Sequence, residues 1–147
     1  MNSISKETIE EINKEFEAKL LNEKSIPFSF DKDWSSKFAN EPGVYGIFDK
    51  GALCYVGETA DLKERMKDVK RTVNHTFRRK LGEKEFDGIL KKKKFSVEVE
   101  VKLDDYYTSN LSFVGIPVHF GRIEIETYLI NEHNATLLNS QGKRGQK

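Results

Sequence analysis

The sequence predicts an α/β protein of the α+β type, in which helices flank a small antiparallel sheet. Two neighbouring apolar segments, residues 43–48 and 53–57, lie on either side of the turn-forming residues 49–51 and predict a β-hairpin. Apolar residues recur at helical spacing in residues 6–22 and again in residues 119–133, which predicts a helix in each region. A chain of 147 residues suits one domain with a fair-sized core.

The N-terminal 40 residues are expected to form a helical extension, with Ser5 as the cap of its helix. This helix is acidic and is expected to pack against the following domain or against a partner. Residues 28–41 are expected to be irregular, with aromatic side chains as anchors. The domain itself is expected to span residues 41–140, and residues 141–147 form a basic tail.

The predicted hairpin places two tyrosines side by side. If residues 49–51 form a three-residue loop, Tyr45 lies directly opposite Tyr55 on one face of the sheet. Both strands are apolar on both faces, so the sheet is expected to be covered on both sides.

The region after the hairpin predicts two helices and one further strand. Thr59 is the expected cap of the first helix, and the second spans residues 75–81 and ends at Gly82. Residues 95–103 alternate between apolar and polar side chains, which predicts a strand with one wet face. Residues 104–117 are expected to form a loop or an insertion.

The composition indicates a soluble globular protein. Charged residues make up 33% and hydrophobic residues 37% of the chain, and its formal net charge is +1. We see no apolar run of membrane-spanning length and no signal peptide, so the expected compartment is the cytoplasm. The single cysteine, Cys54, excludes an internal disulfide and a cysteine-based zinc site.

The charge is unevenly distributed along the chain. Residues 58–94 hold 13 basic against 7 acidic side chains, whereas residues 1–40 hold 6 basic against 8 acidic ones. This asymmetry fits a side that faces nucleic-acid phosphates, and it also fits an ordinary solvated surface. The candidate nucleic-acid contacts are Arg71, Arg78, Arg79, Lys80, Lys91, Lys92, Lys93 and Lys94.

Two charged side chains fall on or beside apolar helix faces. Arg65 follows Leu62 by three residues and therefore lies beside the apolar stripe, where a phosphate or a buried carboxylate would meet it. Glu126 falls among apolar residues at the predicted centre of the buried face of its helix. Such a carboxylate needs an ion partner or a metal, and a pair with Arg122, four residues earlier, is the simpler alternative.

Several of these residues match a known pattern. The tripeptides Gly-Val-Tyr at 43–45 and Tyr-Val-Gly at 55–57 are followed, eight residues after the second glycine, by Arg65. The run Glu-Thr-Tyr-Leu-Ile at 126–130 is followed by Asn139. This arrangement resembles the GIY-YIG endonuclease family.

The resemblance implies a metal-dependent DNA endonuclease that hydrolyses phosphodiester bonds. It implies Tyr45 as the general base, with its pKa lowered by nearby cations, and Arg65 on a phosphate oxygen. It further implies that Glu126 binds one Mg²⁺ or Mn²⁺ ion, that Tyr55 orients the water or the phosphate, and that Asn139 positions the metal site or the backbone.

The position of the histidine departs from the family pattern. Some family members carry one a helical turn after the arginine, but Val69 stands at that position here. His75 is a candidate for catalysis, for a backbone-phosphate contact, or for the start of a helix at the surface. Lys50, His119 and His133 are lesser candidates.

The resemblance also implies the architecture and the partner. The expected fold has a central antiparallel sheet of three strands flanked by helices, and the expected partner is DNA. A non-catalytic nucleic-acid-binding module on the same scaffold is the first alternative. The second is a protein-interaction domain that forms a homodimer or binds a partner protein through the N-terminal helix.

Overall fold

A computed structural model describes residues 6–139 of the chain. The strands of this part are β1 (Ile26–Pro27), β2 (Gly43–Asp49), β3 (Ala52–Thr59) and β4 (Leu111–Pro117). Its α-helices are α1 (Lys6–Asn22), α2 (Leu62–Asp68), α3 (Thr76–Phe86), α4 (Val97–Asn110) and α5 (Arg122–Glu132), and a short 3₁₀ helix spans Trp34–Lys37. Within residues 6–139, no helix combines the length and the apolar character needed to cross a bilayer.

The sheet is antiparallel with the strand order β1-β4-β2-β3. It therefore has four strands, where three were expected. The additional strand, β1, is only two residues long and ends in Pro27, so no alternating pattern marks it in the sequence. The covering of the sheet on both faces is confirmed.

The hairpin has a different register from the predicted one. Its loop contains two residues, Lys50 and Gly51, with φ angles of 52° and 87°, and a bulge shifts the pairing between Ile47 and Phe48. Tyr45 consequently pairs with Gly57, and Tyr55 pairs with Ile47. The two tyrosines still share a face of the sheet, but they are diagonal neighbours.

The prediction of a strand over residues 95–103 is wrong. The Ser96 side chain accepts a hydrogen bond from the Val99 amide and begins α4, which buries Leu103 and Tyr107 four residues apart. Two of the alternating valines, Val97 and Val101, are left in solvent. The segment is helical because a helix places Leu103 and Tyr107 together on one buried face, although the residues before them alternate as in a strand.

The predicted loop over residues 104–117 is also wrong. It contains the second half of α4 and all of β4, which pairs with both β1 and β2. β4 is nearly continuously apolar because it is buried on both faces, and such short runs lack the period that identifies a strand.

The helices are otherwise close to expectation. The helix over residues 6–22 is confirmed, whereas its predicted cap, Ser5, lies outside the described residues. Asp61, and not Thr59, caps α2 by accepting from the Glu64 amide. α3 continues through Gly82 and ends at Asp87, which adopts a left-handed backbone conformation.

The core has two layers, one on each face of the sheet. On one face, Tyr45, Ile47 and Tyr55 pack against α2, α3 and α4. On the other face, the hairpin packs against α1 and α5, with Phe16 and Leu20 as the contribution of α1. The N-terminal helix is therefore an integral layer of the fold.

Arg78 joins α3 to α4 within the first layer. It is 2% exposed, donates to Glu100 at 2.9 Å and to Asp104 at 2.8 Å, and lies over the Tyr107 ring at 5.0 Å. Its Nε also donates to Thr72 Oγ1 at 3.0 Å. Arg78 is therefore used inside the fold, contrary to the predicted phosphate contact.

We expect Arg78→Met to lower the free energy of unfolding by about 2–3 kcal/mol, because it leaves two carboxylates without their partner. Arg71→Met removes the same charge from an exposed position and should change the free energy of unfolding by less than about 0.5 kcal/mol. Urea unfolding of both variants measures the difference. Equal losses would contradict a structural role specific to Arg78.

Candidate active site

Two tyrosines and a histidine meet on the inner face of the hairpin. Tyr45 is 1% and Tyr55 8% exposed, and His75 is fully buried. The His75 ring lies 6.0 Å from the Tyr45 ring and 5.6 Å from the Tyr55 ring, centroid to centroid. A side chain at Gly57 would overlap the phenol of Tyr45, so the glycine provides the space in which this ring lies.

His75 forms one hydrogen bond with each ring nitrogen. Nδ1 accepts from the Phe77 amide at 3.1 Å, and Nε2 lies 2.9 Å from the Tyr45 hydroxyl. Because a nitrogen that accepts an N–H bond carries no proton, the proton of the neutral ring is on Nε2. His75 therefore donates to Tyr45, and the phenol proton of Tyr45 is directed elsewhere.

The environment keeps His75 neutral. Burial, followed by the positive charges of Arg65 and Arg79, lowers the pKa of His75 from 6.5 to about 3. The structure thus brings His75 to the tyrosines as the buried cap of α3. Turns between α2 and α3 return the chain to the hairpin, so His75 reaches Tyr45 although it does not follow Arg65 by one helical turn.

Arg65 lies beside the phenols at the end of α2. Its Nη1 donates to the Asn74 carbonyl at 3.1 Å, which ties it to the segment that carries His75. Burial raises the pKa of Tyr45 above 10, although the charge of Arg65 and its hydrogen bond act in the opposite direction. Arg65 alone therefore does not produce the predicted lowering of this pKa, because burial outweighs its effect.

Glu126 approaches the same phenols from α5. Its negative charge contributes to raising the pKa of both Tyr45 and Tyr55, after the larger effect of burial. The buried residues of α5 are Ile125 and Leu129, and Glu126 is half-buried at their flank. The predicted central position is wrong because α5 packs over the sheet edge and leaves Ile123 60% exposed.

An ion pair beside Gly57 was not foreseen. Arg122 Nε donates to Glu58 Oε1 at 3.0 Å and so joins the first turn of α5 to β3. The charge of Glu58 also contributes to the raised pKa of Tyr45, after burial and Glu126. Glu58 directly follows the second tripeptide, and this adjacency was the only sequence signal for it.

Asn139 holds the backbone of β3. Its Oδ1 accepts from the Val56 amide at 2.8 Å, and its Nδ2 donates to the Val56 carbonyl at 2.7 Å. The Leu138 amide donates to the Cys54 carbonyl at 2.8 Å. Asn139 thereby fixes the residue between Tyr55 and Gly57.

Two predicted nucleic-acid contacts lie within or near this site. Arg79 donates to the carbonyls of Thr72 and Val73, both at 2.8 Å, and its charge reaches His75. Lys80 Nζ donates to the carbonyls of Leu138 and Asn139, at 3.1 and 3.2 Å. Arg79 therefore belongs to the shell around the histidine, a position that no periodicity indicated.

The remaining candidates lie elsewhere. Arg71 and the four lysines at 91–94 are exposed. Lys50 lies in the hairpin loop, at the opposite end of the strands from Gly57. His119 contacts Glu41, and His133 contacts Glu17 of α1 at 2.6 Å.

The donor groups near the phenols suit a hard divalent cation only in part. Across the described part of the chain, no three His, Cys, Asp or Glu side chains gather closely enough to enclose a metal ion. Mg²⁺ in phosphoryl-transfer sites commonly uses one or two carboxylates, with substrate phosphate and water as the other ligands. Glu126 fits that type of site.

We expect His75 to make the protein sensitive to acid. Its pKa is lowered on folding, so its contribution to stability is complete above pH 6.5 and is lost as the pH falls towards 3. When the pH is lowered from 7 to 4.5, the free energy of unfolding of the wild type should fall by on the order of 2 kcal/mol more than that of His75→Asn. This variant retains a helix-capping side chain. Urea unfolding at both pH values tests this, and equal losses would contradict it.

A comparison with protein families matches the GIY-YIG catalytic domain to residues 41–139. Searches of the curated proteins and of the solved structures gave no significant match. The matched region contains the hairpin, Arg65, His75, Glu126 and Asn139, and it covers more than half of the chain. The chain belongs to the GIY-YIG family.

Proposed function

We propose that this protein is a DNA endonuclease that hydrolyses phosphodiester bonds with the help of one Mg²⁺ or Mn²⁺ ion. Membership of the family indicates a nuclease. The observation that carries the finer proposal is the polarity of the His75–Tyr45 contact. A phenol that accepts a hydrogen bond and lies beside a guanidinium is arranged to act as a base.

Tyr45 is the proposed general base. Its deprotonated oxygen accepts a proton from a water molecule, the water oxygen bonds to phosphorus, and the bond from phosphorus to the 3′ oxygen breaks. Donation from His75 Nε2 and the charge of Arg65 both favour the phenolate. Tyr55, on the same face, is proposed to orient the water or the phosphate.

Arg65 is the proposed phosphate ligand. A guanidinium has five N–H donors, and Arg65 uses them on the Asn74 carbonyl and on Tyr45, which leaves further donors for a phosphate. The fork matches the oxygens of a phosphate, and the contact to Asn74 holds the side chain in position. Arg79 supports this site by fixing the segment before α3.

Glu126 is the proposed metal ligand. Its carboxylate is the hard oxygen donor that Mg²⁺ and Mn²⁺ prefer, and its charge acts on both phenols. When bound, the ion supplies positive charge that polarises the phosphate and stabilises the departing oxygen. Arg122 and Glu58 position the helix turn before Glu126, and Asn139 positions the strand that carries Tyr55.

A non-catalytic nucleic-acid-binding module is the second candidate. The raised pKa of Tyr45 favours it, because the phenolate is scarce at neutral pH unless bound ligands add positive charge. This candidate predicts retention of DNA without cleavage, with or without a divalent ion.

We expect the protein to cut supercoiled plasmid with Mg²⁺ and to lose this activity in a chelator. Tyr45→Phe, Arg65→Ala and Glu126→Gln should each lower the cleavage rate by about 100-fold or more, because each removes one part of the proposed chemistry. Glu124→Gln, an exposed carboxylate on the same helix, is the matched control and should retain the rate. Retention of plasmid without cutting by the wild type would instead support the binding module.

The proposed base also predicts a pH dependence. Because the active form is deprotonated and burial raises the pKa of Tyr45, the cleavage rate should increase with pH. We expect an increase of up to about tenfold per pH unit between pH 6 and 9, in single-turnover measurements with Mn²⁺. A rate that falls with pH would exclude Tyr45 as the base.

A further inference from the structure

A lysine-rich turn projects between α3 and α4. The Lys91 amide donates to the Lys94 carbonyl at 2.8 Å, and the Lys94 amide donates to the Lys91 carbonyl at 3.1 Å. Both central residues, Lys92 and Lys93, adopt left-handed backbone conformations, with φ angles of 53° and 64°. All four side chains are exposed.

Lysine is an unfavourable choice for the centre of this turn. A two-residue turn with positive φ at both positions strongly favours Asn-Gly or Asp-Gly, because glycine and asparagine tolerate this conformation. Four adjacent ammonium groups also repel one another. Other residues would therefore suit the backbone of this turn better than lysine.

A groove leads from this turn towards the candidate active site. Its volume is about 440 Å³. One wall is formed by the segment before α3 and the other by the end of the lysine turn and the start of α4; its lining includes Lys70, Arg71, Asn74, Lys94 and Glu100. The Asn74 carbonyl is the acceptor of Arg65, so the groove begins beside the proposed phosphate ligand.

The groove has a cationic balance. Lys70, Arg71 and Lys94 lie along it, and the carboxylate of Glu100 is already engaged by Arg78 and Thr72. Arg71 also lies 3.7 Å from Asp68, in a surface pair. A polyanion lying in the groove would therefore meet more positive than negative charge along its lining.

We propose that the turn of Lys91–Lys94 contacts the phosphate backbone of duplex DNA that continues along this groove beyond the scissile bond. The inference rests on the proposed function, since Arg65, the proposed phosphate ligand, donates to the carbonyl of Asn74 in the groove lining. It identifies the preferred substrate as DNA with a duplex arm on the lysine side of the cut. A substrate that ends at the cut on that side lacks the contact.

A double substitution distinguishes the effect of the lysine charges on DNA binding from their effect on the stability of the fold. Lys92→Asn with Lys93→Gly removes two charges and introduces the residues that the turn favours, so the melting temperature should stay the same or rise. Lys14→Gln with Lys19→Gln removes two exposed lysines from α1, on the other face of the sheet, and is the matched control. A lower melting temperature of the turn variant would show that the lysines serve the fold and would overturn the inference.

Binding is then measured without metal, so that it does not depend on cleavage. Fluorescence anisotropy with a 20-base-pair duplex, over a series of salt concentrations, should show that the turn variant reduces the slope of log Kd against log salt by about two. The control should retain the wild-type slope. An unchanged slope in the turn variant, or no binding by the wild type at low salt, would overturn the inference.

The substrate side is tested with duplexes extended in only one direction from the cut. The wild type should cut one of the two extended forms faster, and the turn variant should lose this preference. A preference that persists in the variant would overturn the inference. If no duplex is cut but binding depends on the turn lysines, the contact stands and the proposed nuclease activity fails.

Discussion

The hydrogen bond from the Phe77 amide to His75 Nδ1 is the interaction on which the arrangement of the site depends. It exists because α3 begins at Thr76 and leaves amides at its first turn without helical acceptors. By occupying Nδ1, it assigns the ring proton to Nε2 and makes the histidine a donor towards Tyr45. The start of a helix thus determines the direction of a hydrogen bond at the proposed reaction centre.

Burial fixes the side chains of this site and also disfavours the charged forms of Tyr45 and His75. Tyr45 and His75 are enclosed and hydrogen-bonded to each other, and burial raises the pKa of the phenol while lowering that of the imidazole. Both groups are therefore neutral near pH 7. The surrounding guanidinium and carboxylate groups provide fixed charge. The protonation equilibrium of Tyr45 therefore depends on which charged ligands bind among these groups.

The sequence anticipated the hairpin and most helices, but not how the elements pair. The hairpin register was missed because a two-residue loop and a bulge replace the three-residue loop. α4 was missed because Leu103 and Tyr107 lie on one helical face while the valines before them alternate. Within the site, Tyr45, Tyr55 and Arg65 were found from spacing, whereas Arg79 and Glu58 depend on how the chain returns to the hairpin. Arg78 looked like a surface cation because sequence cannot show its acidic partners on α4.

The two hydrogen bonds between the Asn139 side chain and the Val56 backbone also affect the edge of the sheet. β3 is an edge strand in which Cys54 and Val56 would otherwise offer unpaired backbone groups to a neighbouring chain. A side-chain amide bonds to both the N–H and the C=O of Val56, as an adjoining strand would, and the Leu138 amide occupies the Cys54 carbonyl. These hydrogen bonds therefore block the addition of a strand from another copy at this edge of the sheet. Asn139, which makes two of them, is also the residue that holds β3 and Tyr55 in position.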